Sequence, residues 1–397
     1  MFTLIQSNKM ELLSATLADR LRDGVPGMSP LSCEQILVQS PGMSTWLRLE
    51  LARHNGVAAA QEFPLPSSFI WQLCYLLLDD VPKENPFTKA AMTWKLMALL
   101  PSLLDRDNFA PLRHYLGDDV ELKLFQLSGR IADIFDQYLV YRPEWILGWE
   151  QNESPLEIAP QHAWQPELWR ELVRYNNQEL QQSHYHRANL HQALIETLTG
   201  GSDHALEDLP PRLFVFGISS MAPQTLDVLY ALASRIEVVM LSLSPCRHYW
   251  GDIIEPRARA RMALAFEGKK QLPELWEDKL EVGNPILANN GRLGRELLDM
   301  VLELPPERLE LEELFHPGNT NTLLGGIQND ILEMETLGEP LGPDVSKYLN
   351  IARRRPLAAT DDSITLRSCH SPLREVETLH DHLLHRLRSA PSLAAKD

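Results

Sequence analysis

Gln35-Ile36-Leu37-Val38-Gln39 is a short apolar run of strand type, followed at once by Ser40-Pro41-Gly42, a turn signal. From Met43 the period changes. Met43, Trp46, Leu47, Leu49 and Leu51 suit the buried side of a helix that ends near Asn55-Gly56. Phe63-Pro64-Leu65-Pro66 then fixes an extended backbone, and Ser67 or Ser68 is placed to cap a helix carrying Trp71. A strand, a polar loop and a helix in this order are the ingredients of an open α/β sheet, whose ligands bind beyond the carboxyl ends of the strands. Gln39 and Ser40 fall at such an end. By themselves they read as ordinary polar loop residues.

The same pattern recurs on both sides. Phe2 to Gln6 reads as a first buried strand, with Ser7-Asn8 capping a helix from Lys9 to about Arg22. After Pro210-Pro211, Arg212 to Ile218 and Ile236 to Leu243 read as strands, with a helix over Pro223–Ser234 between them. Such apolar runs suit parallel strands covered on both faces. Between them strand signals vanish. Helices are expected over 69–78, 88–104, 108–116, 121–139, 166–182 and 188–199, an all-helical insertion in the α/β frame. Residues 245–345 are mixed, with a helix near Leu293–Leu302. Pro340 to Thr360 reads as a linker, then Ser363–Ser368 as a strand and Pro372–Arg386 as a helix. A lone β-α unit cannot bury its own faces, so the chain is expected to belong to something longer.

Size and charge narrow the classes. A chain of 397 residues implies about two to three domains. A net charge of −17 argues against a free-standing, non-specific nucleic-acid binder. It leaves room for a local basic groove, or for partners that supply the positive charge. The clusters at Arg257, Arg259 and Arg261, and at Arg353-Arg354-Arg355, read first as solvated faces or linker. Cys33, Cys74, Cys246 and Cys369 are too scattered for a zinc site or a disulfide framework. No signal peptide opens the chain and no apolar run reaches membrane-spanning length, which points to a soluble protein of a reducing cytoplasm.

Catalytic motifs are missing where they are most expected. A phosphate-binding loop needs GxxxxGK[ST] after the first strand, but Gln6-Ser7-Asn8-Lys9-Met10 carries no glycine and Lys9 is followed by no hydroxyl residue. A magnesium-holding strand should end in acidic residues, but Phe214-Val215-Phe216 runs into Gly217-Ile218-Ser219-Ser220. Gly217 to Met221 is not GxSxG. His184, His186 and His191 lack a completing ligand, so a structural role is favoured over a metal site, and no cofactor is expected. The helix Ile131 to Arg142 has an apolar side (Ile131, Ile134, Phe135, Tyr138, Leu139), while Asp133, Asp136 and Gln137 lie together at i, i+3 and i+4. This is either a solvated face or a base-reading surface, since Asp, Gln and Arg142 have the donors and acceptors for base edges and phosphates. Trp71 would add a stacking platform.

At these residues the chain resembles the RecC family, the gamma subunit of bacterial exodeoxyribonuclease V. Ile36 to Ser40, Phe63 to Pro66, Ser68 to Trp71, Trp94 to Met97, Leu112 to Leu116, Phe135 to Pro143, His186 to Leu190, Cys246 to Asp252 and Cys369 to Pro372 carry the likeness, which runs through the whole chain. The resemblance implies the N-terminal part of a longer protein with an inactive, superfamily 1 helicase-like (P-loop NTPase-like) parallel-sheet domain and a large helical insertion. Residues 1–68 would begin that α/β domain, 69–205 form the insertion, 206–345 complete the domain, and 346–397 supply a linker and the start of a second one. It also implies RecB and RecD as partners, together with single-stranded and forked double-stranded DNA. The implied task is splitting the duplex and scanning the three-prime-ended strand for the chi sequence, with no catalysis by this subunit itself. Residues implied in chi recognition are Gln39, Leu65, Trp71, Asp133, Ile134, Asp136, Gln137, Arg142 and Arg187. Ile134 stands where leucine is usual, Pro41 where the family can carry threonine, and Thr45 where it can carry glutamine. Two other readings compete: an active helicase or nuclease, opposed by the missing loop and acidic strand end, and a scaffold that only assembles the helicase and nuclease subunits.

Overall fold

The computed structural model describes residues 1–26, 29, 32–117, 120–153, 162–200, 209–254, 283–335, 356–390 and 393. The two arginine clusters, at 257–261 and 353–355, and most of the expected linker lie outside the described residues.

Among these residues the strands are β1 (Phe2–Ser7), β2 (Glu34–Val38), β3 (Gln61–Glu62), β4 (Arg212–Phe216), β5 (Glu237–Leu243) and β6 (Leu309–Glu313). They form one sheet in the order β3-β2-β4-β5-β1-β6, every pair parallel. Side chains alternate across a strand, and here both sets are apolar. Phe2, Leu4, Leu37, Leu213, Val215, Val238 and Met240 enter one core. Ile5, Ile36, Val38, Phe214, Phe216, Val239 and Leu241 enter another on the opposite face. That is why these strands read as continuous apolar runs.

The helices on the second of those faces are α1 (Met10–Arg22) and α2 (Pro41–Asn55). Next in the chain comes α3 (Pro66–Leu77), on the first face, and then α4 (Lys89–Leu103), α5 (Ala110–Leu116), α6 (Val120–Tyr141), α7 (Pro143–Glu150) and α8 (Trp164–Arg174). The first face is completed by α9 (Arg187–Thr199), α10 (Pro223–Leu232) and, after the short α11 (Pro285–Asn290), α12 (Arg292–Leu302). Two further helices are α13 (Leu323–Leu332) and α14 (Pro372–Ser389). Helices α4 to α8 build a separate core around Phe135, Trp149, Trp164, Trp169 and Leu168. Helices α4 to α8 thus form a helical lobe with its own core, in the chain between the sheet-packed α3 and α9.

Several local expectations are corrected. Helix α2 begins at Pro41 rather than Met43, because the Ser40 hydroxyl accepts from the Met43 amide and proline fits the first helical turn. It ends at Gly56, whose φ of 80° is the left-handed cap glycine favours. Leu49 is exposed, unlike Leu47 and Leu51. Neither Ser67 nor Ser68 caps α3. Leu65 holds that position and Pro66 starts the helix. Lys9 precedes α1 without a side-chain cap, and Asn8 instead joins His316, donating to its carbonyl and accepting from its amide. The helix expected over 166–182 stops at Arg174 and passes into a π-turn at Tyr175–Glu179. Ile218 and Ile236 fall just outside β4 and β5.

The expected strand at Ser363–Ser368 does not form. Its residues find no sheet partner among the described ones, and Leu366 is 90% exposed. Conversely β3, β6, α7, α11 and α13 were not anticipated. Leu309-Glu310-Leu311-Glu312-Glu313 reads as polar because β6 is an edge strand, paired only with β1. Charge on an edge blunts unwanted pairing. Near the opposite ends of the strands, Arg212 is buried and held by Glu34, with Nε at 3.1 Å and Nη2 at 2.5 Å, while Nη1 donates to the Arg20 carbonyl.

Candidate functional site

The site residues are positioned by the junction of the helical lobe with the sheet layer, and polar groups organise that junction. Lys95 of α4 is buried and donates to the Pro86 carbonyl (2.6 Å), Asn176 Oδ1 (2.5 Å) and Gln182 Oε1 (2.7 Å). Among the described residues no carboxylate pairs with it, and burial pulls its pKa down to about 8. It ties the π-turn and the following segment to α4, which fixes where α9 begins. His186, fully buried, caps α9. Its Nδ1 accepts from the Asn189 amide, so Nε2 carries the proton and donates to Glu150 Oε1 at 2.7 Å. The same oxygen accepts from Trp169 Nε1 at 2.9 Å. His191 donates from Nε2 to the Gln224 carbonyl at 3.1 Å, and burial lowers its pKa. His184 stacks on Tyr185. The three histidines therefore have separate structural partners, and among the described residues no cluster of His, Cys, Asp and Glu could hold a metal.

Helix α6 carries the densest group of expected residues. Ile131, Phe135 and Leu139 are buried in the lobe core, whereas Ile134 is only partly buried. Asp133 accepts from Lys89 at 2.6 Å and from Arg130 at 3.0 Å. The Lys89 hydrogen bond, ahead of the other causes, holds its carboxyl below the usual range. Asp136 pairs with Arg187 of α9 at 3.4 Å, and Gln137 is exposed. Arg142, in the residue between α6 and α7, is exposed, lies over the Trp145 ring at 5.4 Å and faces Glu144 at 3.7 Å.

Trp71 of α3 is half-buried and its indole N–H is shared by the Pro82 and Lys83 carbonyls, both at 3.2 Å. Trp71 and Arg187 line one cleft of about 180 Å³, together with Val140 of α6. So Trp71 and Arg187, 116 positions apart in sequence, meet at one cleft, and Asp136 joins them through its pair with Arg187. Gln39 and Leu65 form a second place. Gln39 Oε1 accepts from the Ser219 hydroxyl at 3.2 Å, and the Val38 amide donates to the Pro64 carbonyl, which sets Leu65 beside the end of β2. Asp133 faces the start of α4 instead. Ser67, His191, Gln224 and Thr225 also line the cleft and were not anticipated. The usable signal was the position of Gln224 and Thr225, in the loop-to-helix turn that follows the carboxyl end of β4.

Comparison with known proteins identifies the family. The family described as RecC, N-terminal domain, matches residues 2–334. The chain is 42% identical to the RecBCD enzyme subunit RecC of Escherichia coli (strain K12), over all of this chain and 36% of that protein. It is 36% identical to the RecBCD enzyme subunit RecC of Haemophilus influenzae, over all of this chain and 38% of that protein, and 28% identical to that of Mycobacterium tuberculosis (strain ATCC 25618 / H37Rv), with 99% and 34% covered. It therefore spans little more than a third of the length of these curated relatives. With the parallel sheet of Phe2–Glu313 falling inside the matched region, the chain belongs to the RecC family, through its N-terminal domain.

Proposed function

We propose that this chain is the N-terminal part of a non-catalytic, DNA-binding subunit of an exodeoxyribonuclease V. In this reading it works in the cytoplasm beside RecB and RecD, splits duplex DNA and scans the three-prime-ended strand for chi during recombinational repair of double-strand breaks. The α/β layer is then an inactive superfamily 1 helicase-like domain formed by 1–68 and 206–345, with 69–205 as its helical insertion and 346–397 as the start of a second domain. The observation that carries the reading is the meeting of Trp71 and Arg187 at one cleft, with Asp136 paired to Arg187. An aromatic wall beside an oriented guanidinium suits a base and its phosphate. The non-motor part is supported by the turn after β1, where Ser7-Asn8-Lys9 leads straight into α1 and Asn8 is tied to His316. Among the described residues no helix is long and apolar enough to cross a membrane.

One observation favours the scaffold reading instead. Trp94 on α4 is 63% exposed and sits 5.7 Å from the exposed Phe125 of α6, a surface of the kind that anchors protein partners. The two readings separate in a RecBCD-type complex whose RecC subunit carries this chain as its N-terminal part. Trp71→Ala and Asp136→Ala are expected to leave unwinding intact and abolish chi-dependent fragments. A normal chi response in both variants would transfer the case to the scaffold. ATP hydrolysis by the purified chain that disappears in Lys9→Ala would overturn the non-motor part.

A further inference from the structure

Helix α13 is a fixed post of the sheet layer. Its carboxyl end is gripped by the segment after β5: the Arg247 amide and the Cys246 thiol both donate to the Leu332 carbonyl, and Arg247 pairs with Glu333 at 3.2 Å. Asn329 of α13 exchanges two hydrogen bonds with Gly318. Just before Gly318, His316 exchanges two with Asn8, in the turn after β1. The amino end of α13 is closed from far along the chain. The Leu323 amide donates to Asp361 Oδ2 at 2.7 Å and the Leu324 amide to Ser363 Oγ at 3.1 Å, from 38 and 39 residues away, while the Thr322 hydroxyl accepts from the Gly325 amide. A helix leaves its first amides unpaired, and a carboxylate placed there also meets the positive end of the helix dipole. Asp361 is itself oriented, since its Oδ1 accepts from the Ser363 amide. Asp362, between them, pairs with Arg386 of α14. By contrast, α14 buries none of its residues, and among the described residues it joins no apolar core.

We infer that Asp361 and Ser363 form a latch, which clips the segment 356–390 to the amino end of α13 and so sets where α14 stands relative to the sheet. This goes beyond the proposed function and does not depend on which ligand the chain takes. Without buried apolar contacts on α14, polar groups do the positioning. The path runs from the turn after β1 through His316, Gly318, Asn329 and α13 to Asp361, and Asp362 passes it on to Arg386. Asp361 and Ser363 are both half-exposed. A contact of that kind opens locally, without disturbing the buried strands.

The test is hydrogen–deuterium exchange, read by mass spectrometry, on the full-length subunit that carries this chain as its N-terminal part. Two variants break the latch from opposite sides. Leu323→Pro removes the donated amide, yet proline suits the first position of a helix and Thr322 before it is already extended. This variant should speed exchange across 356–368, a stretch it does not touch in sequence. Asp361→Ala should speed exchange in the first turn of α13 about fivefold, the effect of losing a helix cap. In both variants the sheet peptides over 2–22 and 212–243 should exchange as in the parent. An unchanged 356–368 in Leu323→Pro, or an unchanged α13 in Asp361→Ala, would overturn the latch. Faster exchange throughout the sheet would overturn it too, because these residues would then belong to the cooperative core rather than to a local clip.

Discussion

The sheet layer and the helical lobe bury their surfaces in different ways. In the inner strands of the sheet, alternation sends one apolar set into each face, and charged groups are kept to the strand ends, as with Arg212 and Glu34. In the lobe, the core is built from indoles and phenyl rings threaded by polar side chains: Glu150 accepts from both Trp169 and His186, and Lys95 holds three oxygens. An apolar core is tolerant of small shifts, whereas a buried polar network fixes orientation because each misplaced member loses a partner. Of the expected DNA-contacting residues, Trp71, Asp136 and Arg187 lie where the lobe meets the sheet, with the orienting network behind them.

The largest test of this contrast is Trp169→Ala. Losing that buried ring should cost about 3–5 kcal/mol in urea or thermal denaturation, and Trp169→Phe should still lose about 1 kcal/mol because Glu150 is deprived of a donor. A phenylalanine variant as stable as the parent would mean the lobe is held by packing alone, as the sheet is. Lys95→Met comes next, at about 2 kcal/mol from the stranded acceptors. Its pH dependence is the sharper readout. In the folded state Lys95 loses its proton near pH 8, but in the unfolded chain only near 10.5. Between those values the unfolded state binds more protons, so native stability rises with pH. The advantage of the parent over Lys95→Met should therefore widen from about pH 8 upward, and a constant gap would contradict the burial described. Asp136→Ala should cost under about 1 kcal/mol, since its pair with Arg187 is partly exposed. The smallest effect belongs to α14: Leu373→Ala and Leu383→Ala are each expected within about 0.5 kcal/mol, because both side chains are exposed.

The sheet was legible because its signal is local. Leu213 to Phe216 and Val238 to Leu241 are apolar at every position, and only strands covered on both faces demand that. Edge strands escape the same rule: β6 carries three glutamates and β3 has two residues, so neither gave an apolar run. Ser363–Ser368 erred in the opposite direction, since a strand-like composition makes no strand without a partner to pair with. In the site, Trp71, Asp136 and Arg187 were named from residue type and family likeness, but nothing in the sequence placed them together.

Apolar periodicity and the missing phosphate loop follow from the sequence by itself, because near neighbours in the chain decide each of them. Strand order, the anchoring of α9 by Lys95 and His186, and the cleft between α3, α6, α9 and α10 were decided only by tertiary structure. Each depends on groups more than a hundred residues apart, or on buried hydrogen bonds whose partners are set by packing rather than by chain position.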